Sequence, residues 1–211
     1  MKNALFFATC VALACMNAVQ AANTISGNLW HVPEATSQNA VPANVPGTPA
    51  DVAFDVNSPF NFNADSDTVG NWLASSSAFN IAENTPGTLA SLMDGGGQGT
   101  LVEFTGFVTV ANGQTFTVTH DDGLTLIING INLGFSPGPT AAVTDTVTYT
   151  GASGNFPFQL VYGECCGGPA VLQVALPFRS APGVPETAST LTLLGLSAAA
   201  LIFAGRKRAF C

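Results

Sequence analysis

The sequence predicts an all-β protein, built as an antiparallel β-sandwich or barrel. Apolar and polar residues alternate from Leu101 onward, which is the period of half-buried strands. Gly and Pro turns separate these short segments, and no amphipathic helical pattern lies between the apolar runs at the two chain ends. We therefore expect a single domain of short strands, flanked by two terminal segments that do not belong to it.

The first half of this domain reads as loops and short strands. Residues 23–99 are rich in Asn, Pro, Ser, Gly and Ala, and apolar patches occur at Val52-Ala53-Phe54 and Phe60-Asn61-Phe62. Gly95-Gly96-Gly97-Gln98-Gly99 forms a flexible junction. Because no strand precedes it, no helix follows it and it contains no Lys, its pattern does not favour a phosphate-binding role.

The second half carries the clearest strand signals. Asn129-Gly130 lies between two apolar segments and predicts a hairpin, because both residues tolerate a positive φ. A final strand is expected over Val171 to Leu176. The alternating residues that share a strand face are Val102 and Phe104; Phe116 and Val118; Val147 and Tyr149; and Phe156, Phe158, Leu160 and Tyr162.

The N-terminal segment has the pattern of a cleaved secretory signal. Lys2 precedes the apolar run Ala4 to Ala14, and small residues follow at Val19 and Ala21. We assign residues 1–21 to this signal peptide. Cleavage before Cys15 with lipid attachment there is the alternative, because Ala12-Leu13-Ala14-Cys15 is similar to a lipoprotein box.

The C-terminal segment predicts a transmembrane helix over residues 187–205, followed by a basic cytoplasmic tail, 206–211. A linker, residues 179–186, carries Pro185 and Glu186 immediately before the helix. This tail resembles the PEP-CTERM sorting signal, which is cleaved by an exosortase, although Thr187 stands at the position of the second proline. The resemblance implies export, transient anchoring in the inner membrane and sorting to the envelope or matrix of a Gram-negative bacterium. An ordinary membrane anchor is the alternative.

Nearly all charged residues in the exported region are acidic. Residues 22–183 contain twelve of the thirteen acidic residues, and Arg179 is their only Lys or Arg. Nucleic acid is excluded as a partner, because phosphate binding requires a basic surface. The negative field instead attracts cations.

Two adjacent cysteines, Cys165 and Cys166, are the only cysteines between residues 22 and 183. Neighbouring Cα atoms lie about 3.8 Å apart, below the usual disulfide range, so a bridge between them is strained. We expect a vicinal disulfide in an oxidising compartment, with two free thiols as the alternative.

Two loops carry the candidate chemistry. His120-Asp121-Asp122-Gly123 joins two predicted strands, and the segment from Tyr162 to Pro169 joins two others. The carboxylates of Asp121, Asp122 and Glu164 converge if these loops meet at one end of a sandwich. Calcium binds six to eight oxygens, including carboxylates and backbone carbonyls, whereas the simpler alternative is an Asp-Gly turn without an ion.

The sequence around these loops resembles the PA-fourteen domain, a β-sandwich found in anthrax protective antigen, glycosidases, adhesins and flocculins. The resemblance implies that Asp121 and Asp122 chelate calcium, with Glu164 and the backbone carbonyls of Cys166 and Gly168 as further ligands. Asn129 and Glu164 depart from the family, which has Asp and Asn there. The matching segments are Phe104–Val108, Phe116–Gly130, Leu160–Glu164 and Ala170–Leu172.

These observations predict a binding protein. Residues 22–178 are expected to form a PA-fourteen-like, calcium-dependent carbohydrate-binding module that is displayed outside the cell. The alternative is a structural matrix or biofilm protein in which calcium only stabilises loops. No enzymatic activity is expected, because adjacent Asp121 and Asp122 cannot lie on opposite sides of a glycosidic bond. Trp30 and Trp72 are interpreted as core residues.

Overall fold

The computed structural model describes residues 24–64, 68–176 and 178–179, and these residues form twelve strands in two antiparallel sheets. The prediction of an all-β, antiparallel fold is confirmed. The strands are β1 Thr24–Pro33, β2 Val52–Asn57, β3 Phe60–Ala64, β4 Phe79–Glu83, β5 Gln98–Val110, β6 Thr115–Asp121, β7 Leu124–Ile128, β8 Ile131–Asn132, β9 Val143–Thr148, β10 Gly154–Glu164, β11 Ala170–Val174 and β12 Phe178–Arg179.

The larger sheet has eight strands, and the smaller has four. The strand order in the larger sheet is β4-β2-β1-β5-β10-β7-β8, and β12 pairs with β5 outside this order. The order in the smaller sheet is β3-β11-β6-β9. Strand β5 is central to the larger sheet because β1, β10 and β12 all pair with it. The two sheets share one apolar core, which joins them into a sandwich.

Aromatic side chains fill the space between the sheets. Phe60 and Phe62 of β3 contact Phe104 of β5 across the core, with ring centroids 4.9 Å and 5.9 Å apart. Phe62 stacks on Trp72 at 4.0 Å, and Trp72 lies parallel to Tyr162 of β10 at 5.8 Å. This aromatic series crosses the core and ends at Tyr162, whose hydroxyl reaches the candidate site described below.

The larger sheet is also covered on part of its outer face. In β1, Leu29 faces the main core, whereas the next residue, Trp30, packs with Leu101 and Val161 in a second apolar cluster. The residues after β1, including the short helix α1 Glu34–Ser37, lie against β5 on this side. Because both faces of β1 are covered here, its apolar pattern departs from simple alternation.

One helix contradicts the sequence prediction, which placed no amphipathic helix between the two ends of the chain. Helix α2, Val69–Ser75, buries Val69, Trp72 and Leu73, and the Thr68 hydroxyl caps it by accepting a hydrogen bond from the Asn71 amide at 3.3 Å. The spacing of the three buried residues is helical, but seven residues are too few to establish the period in the sequence.

The hairpin prediction is confirmed. Strands β7 and β8 pair around Asn129-Gly130, where φ is 51° and 77°. Both residues are therefore in the left-handed region that a two-residue hairpin turn requires.

The two ends of the described domain lie at the same end of the sandwich. Ser26, near the start of β1, pairs with Thr105, and Phe178 of β12 pairs with Val108. Glu164, the last residue of β10, pairs instead with Thr100, near the opposite end of β5.

Several terminal predictions lie outside the described residues: the signal peptide, the linker with Pro185 and Glu186, and the apolar segment 187–205. Among the residues that the structure does describe, no helix combines the length and the apolar character needed to cross a membrane.

Candidate functional site

Three connections cross between the two sheets at one end of the sandwich. Residues 122–123 lead from β6 to β7, residues 133–142 from β8 to β9, and residues 165–169 from β10 to β11. In each case one strand belongs to the smaller sheet and the other to the larger. The two loops that carried the candidate residues in the sequence are therefore brought together, and a third loop joins them.

A cavity of about 450 Å³ lies between these connections. Its lining consists of the two aspartates and of small, neutral residues from the other two loops. Each aspartate is only 5% exposed. The lining residues are Asp121, Asp122, Pro139, Thr140, Ala141, Cys166, Gly167, Gly168 and Pro169. The tryptophans lie elsewhere, since Trp30 and Trp72 are both buried in apolar clusters, as predicted.

The carboxylate of Asp122 links the other two loops. Its Oδ1 accepts a hydrogen bond from the Thr140 amide at 3.1 Å, and its Oδ2 accepts one from the Cys165 amide at 2.9 Å. Hydrogen bonds to a carboxylate are among the stronger ones in proteins. Asp122 thus fixes both loops relative to the end of β6.

Asp121 is the last residue of β6, where it pairs with Val171 of β11. The peptide bonds Asp121–Asp122 and Gly168–Pro169, both between residues that line the cavity, are cis. Burial raises the pKa of the Asp121 carboxyl, and the neighbouring charge of Asp122 raises it further. Two adjacent carboxylates with so little basic sequence around them favour a bound cation.

Gly123 completes the Asp-Asp-Gly sequence for a reason other than turn formation. Its φ is not in the left-handed region, but a Cβ at this position would overlap the carbonyl oxygen of Pro137. Glycine is therefore required because the 133–142 connection passes directly over it. This contact positions Pro139, Thr140 and Ala141 against the aspartates.

His120 supports the aspartate pair from within the sandwich. It is fully buried, with Nδ1 2.5 Å from the Asp122 carbonyl oxygen and Nε2 3.3 Å from Oδ2 of Asp145 on β9. Because a carbonyl oxygen only accepts hydrogen bonds, Nδ1 carries a proton and donates it to Asp122. His120 therefore holds the backbone of the aspartate pair.

Glu164 is fully buried beside Tyr162. The Tyr162 hydroxyl lies 2.5 Å from Glu164 Oε2 and also contacts the Asp121 carbonyl oxygen. Burial raises the pKa of Glu164 to about 9, so the side chain is protonated at neutral pH. A phenol has only one proton, and both contacts are satisfied when Glu164 donates to the Tyr162 oxygen while Tyr162 donates to Asp121.

Glu164 therefore lies close to the aspartate pair, although it is not among the described residues that line the cavity. The negative charges of Asp122 and Asp121 add to the effect of burial and raise the pKa of Glu164 further. Its second oxygen, Oε1, is buried and has no hydrogen-bond partner in the described part of the chain. Such an orphaned acceptor is expensive to bury, and a cation would satisfy it.

The donor set fits calcium. Asp121, Asp122, Cys166 and Gly168 all line the cavity, and Glu164 has one unpartnered oxygen behind it. Each Asp122 oxygen already accepts one backbone amide and has a further lone pair for an ion. Calcium prefers oxygen ligands of this kind and tolerates irregular geometry, including backbone carbonyls from a Gly-rich loop.

Cys165 and Cys166 are unbonded in this structure, with their Sγ atoms 2.6 Å apart. Cys165 is buried and Cys166 is exposed, with φ of 69° at Cys166. Burial raises the pKa of the Cys165 thiol, and contacts with Cys166 and Asp122 add to this. The vicinal disulfide remains a prediction.

Asp94 is a site residue that the sequence analysis missed. Its Oδ2 accepts a hydrogen bond from the Gly167 amide at 2.7 Å, so it holds the middle of the 165–169 loop. Asp94 precedes the Gly95–Gly99 segment interpreted as a flexible junction. That segment in fact forms a closed turn, in which Gly95 and Gln98 exchange backbone hydrogen bonds of 2.9 Å and 3.1 Å.

Solved structures that are similar to this chain include two PA14 domains. The PA14 domain of the MpAFP antifreeze protein matches 77% of this chain and 93% of its own length, with 19% identity and a TM-score of 0.50. The PA14 sugar-binding domain from an RTX adhesin matches 72% of this chain and 88% of its own length, with 21% identity and the same TM-score. The fold is therefore PA-fourteen-like.

This finding confirms the fold that the sequence resemblance implied. Identities of this size establish the PA-fourteen-like fold alone. No family model matches the sequence, and no curated protein matches it. The function is accordingly argued from the residues at the cavity.

Proposed function

We propose that this chain is an exported, calcium-dependent carbohydrate-binding module. One observation carries the proposal: the paired carboxylates of Asp121 and Asp122 line the same cavity as the Cys166 and Gly168 loop, at the end of the sandwich where three connections converge. Loops at one end of a rigid β-sandwich are a common location for binding sites.

Calcium is the proposed resident ion. Asp121 and Asp122 would hold it, with the carbonyls of Cys166 and Gly168 and with Glu164 as further oxygen donors. The bound ion would supply positive charge to hold hydroxyl groups of a sugar. The chain's own residues hold the two aspartates and their loops in place through Tyr162, His120, Thr140 and Cys165.

Carbohydrate is the proposed ligand. The solved PA14 domain from an RTX adhesin is described as sugar-binding, and the cavity here is lined by neutral residues apart from the aspartates. Its described lining contains no aromatic ring on which a sugar face would stack. Recognition is therefore expected to depend on the ion, and chelation should abolish it.

Export and sorting belong to the same proposal. The signal at residues 1–21, Pro185-Glu186, the apolar segment 187–205 and the basic tail support display at the envelope or in the extracellular matrix of a Gram-negative bacterium, after exosortase processing.

A glycan array probed with and without calcium tests the binding function. Wild-type chain should bind a subset of glycans with calcium and none with chelator, and Asp121→Asn should remove the calcium-dependent signal. An array that stays blank under both conditions would contradict carbohydrate binding. Calorimetry with calcium alone separates this outcome from a failure of the metal site, because calcium binding releases or absorbs heat whether or not sugar binds.

A structural role for calcium is the second candidate, favoured by a specific observation. Asp122 already links the loops at Thr140 and Cys165 through their backbone amides, so an ion here would stabilise the loops even without a ligand. In that case calcium raises the melting temperature of a matrix protein while the glycan array stays blank. We propose no catalysis, because the adjacent carboxylates lack the separation that glycoside hydrolysis requires.

A further inference from the structure

We propose that Cys165, Cys166 and Asp122 form a second metal site, specific for a thiophilic divalent ion such as Zn²⁺, and that it shares Asp122 with the proposed calcium site. Ligand atoms of these three residues, the two Sγ atoms and a carboxylate oxygen, all lie within 4.8 Å of one another. Soft thiolate ligands select Zn²⁺ and related ions, whereas calcium requires oxygen.

The surroundings of Cys166 fit such a site. Cys166 is exposed, which leaves an entry path for the ion, and its Sγ lies 3.8 Å from Oε1 of Glu34. The two sulfurs and an Asp122 oxygen give three protein ligands, and water can supply the fourth position of Zn²⁺. Glu34 contacts the exposed sulfur but does not belong to this group. Gln38 also contacts this sulfur, through its Nε2 at 3.4 Å, and helps to position it.

The adjacency of the two cysteines also favours metal binding. The vicinal disulfide expected from the sequence is strained, because consecutive Cα atoms are closer than a relaxed disulfide needs, and strain makes it easier to reduce to the two thiols that bind the ion. Metal binding needs both sulfurs on the same side of the loop as a third ligand, and both Sγ atoms lie within 4.8 Å of an Asp122 carboxylate oxygen. The sulfurs, 2.6 Å apart in this structure, must separate when the ion binds. When the ion binds, each thiol loses its proton to solvent and becomes a thiolate ligand.

Asp122 connects this site to the calcium site. Its carboxylate lines the cavity with Asp121 and also belongs to the sulfur cluster. One carboxylate cannot serve both ions without a loss of affinity for at least one. Calcium and the thiophilic ion should therefore compete, even though their other ligands differ.

Cadmium titration of the reduced full-length chain tests the proposal, with Cys10, Cys15 and Cys211 each changed to Ser so that Cys165 and Cys166 are its only thiols. Cd²⁺ stands in for Zn²⁺ because thiolate ligation gives it an ultraviolet charge-transfer band that carboxylate ligation does not. We expect a band that saturates at one ion per chain, that Zn²⁺ removes by competition, and that Cys166→Ser abolishes. No band in the reduced wild type, or an unchanged band in Cys166→Ser, would overturn the proposal.

Asp121→Asn is the matched control. It should lose calcium heat in calorimetry but keep the cadmium band, so that the calcium proposal and the thiolate site fail separately. Calcium should shift the cadmium midpoint several-fold in the wild type and not in this variant. Should Cys166→Ser fail to fold by circular dichroism, alkylation of the wild type replaces it: Zn²⁺ must protect both thiols from iodoacetamide, and equal alkylation with and without Zn²⁺ refutes the site.

Discussion

The hydroxyl of Tyr162 lies 2.5 Å from a carboxyl oxygen of Glu164 and also contacts the Asp121 backbone carbonyl. This pair connects the aromatic core to the aspartate loop, because the Tyr162 ring lies parallel to Trp72 while its hydroxyl reaches the site. Burial raises the pKa of Tyr162 well above its usual value, so the phenol stays neutral and donates. The short contact between Tyr162 and Glu164 therefore requires that the Glu164 carboxyl is protonated.

Stability without metal should fall as the pH rises. Folded Glu164 has a pKa of about 9, against 4.5 as its ordinary value, so between these values the folded chain holds a proton that the unfolded chain has released. Stability from this group is complete below the lower value and is lost as the pH approaches the upper one. The slope should reach at most about 1.4 kcal/mol per pH unit, measured by denaturant unfolding in chelator.

Glu164→Gln is the control for this prediction. The amide has a similar shape and does not ionise, so the variant should lose most of the slope. Asp121 also has a raised pKa, which leaves a smaller dependence of the same sign in the variant. Identical slopes in the two chains would show that Glu164 is ionised in the folded state.

The two aspartates should differ when calcium is absent. The Asp122 carboxylate accepts hydrogen bonds from two backbone amides, those of Thr140 and Cys165. Asp122→Asn replaces one acceptor oxygen with an NH₂ group that faces one of these donors, which should cost roughly 1–3 kcal/mol of unfolding free energy. Asp121→Asn removes a like charge and should be neutral or slightly stabilising. Unfolding in urea with chelator measures both.

With calcium present, the two variants should behave alike, because each has lost a proposed calcium ligand. Neither should show the rise in melting temperature that calcium gives the wild type. A calcium-dependent rise that persists in both variants would place the ion elsewhere.

Gly123→Ala should disrupt the site without changing any proposed ligand. The added methyl group overlaps the Pro137 carbonyl, so the 133–142 connection must move away from the aspartates. We expect a loss of about 1–3 kcal/mol of unfolding free energy, in the range typical of overpacking, together with weaker calcium binding. Gly138→Ala is the matched control, because a Cβ there meets nothing within 4 Å, and equal effects of the two changes would contradict the assignment.

Asp94→Ala should weaken calcium binding although Asp94 is not a proposed ligand. The change leaves the Gly167 amide without its acceptor, and the loop that carries the Cys166 and Gly168 carbonyls loses its support. A charge-assisted hydrogen bond contributes about 1.5–3 kcal/mol, so the dissociation constant should rise by about tenfold or more.

Two comparisons separate positioning from charge for Asp94. Asp94→Asn keeps an oxygen acceptor and should recover most of the affinity. Asp55→Ala removes one negative charge from β2, where Asp55 bonds Ser26 and Asn80, and should leave calcium binding nearly unchanged. Similar losses in Asp94→Ala and Asp55→Ala would mean that net charge, and not the loop contact, sets the affinity.

The sequence predicted those features that depend on local pattern. Alternation identified β5, β6 and β10, and Asn129-Gly130 identified the β7–β8 hairpin, because side-chain period and positive φ are properties of short segments. The sequence placed His120 and Asp121 in a loop, whereas both belong to β6. The connection after them, which begins at Asp122, does meet the 165–169 connection.

Features that depend on distant contacts were not predictable. Asp94 accepts a hydrogen bond from Gly167, 73 residues away. Pro137 lies over Gly123 because the connection that contains it joins β8 and β9, which belong to different sheets. The cis bond between Asp121 and Asp122 has no sequence signal, since cis bonds are rare outside proline. Burial of Glu164, which determines its protonation, likewise depends on the assembled core.

The pairing of Ser26 with Thr105 and of Phe178 with Val108 has a consequence for presentation. At the rise of about 3.3 Å per strand residue, the two attachment points lie about 17 Å and about 26 Å along β5 from Thr100, which pairs with Glu164. A tether at either of them leaves the cavity at the opposite, unattached end of the sandwich. A biosensor or bead immobilised through a residue next to β1 or β12 should therefore retain full access for large polysaccharides, whereas coupling through Cys166 should block it.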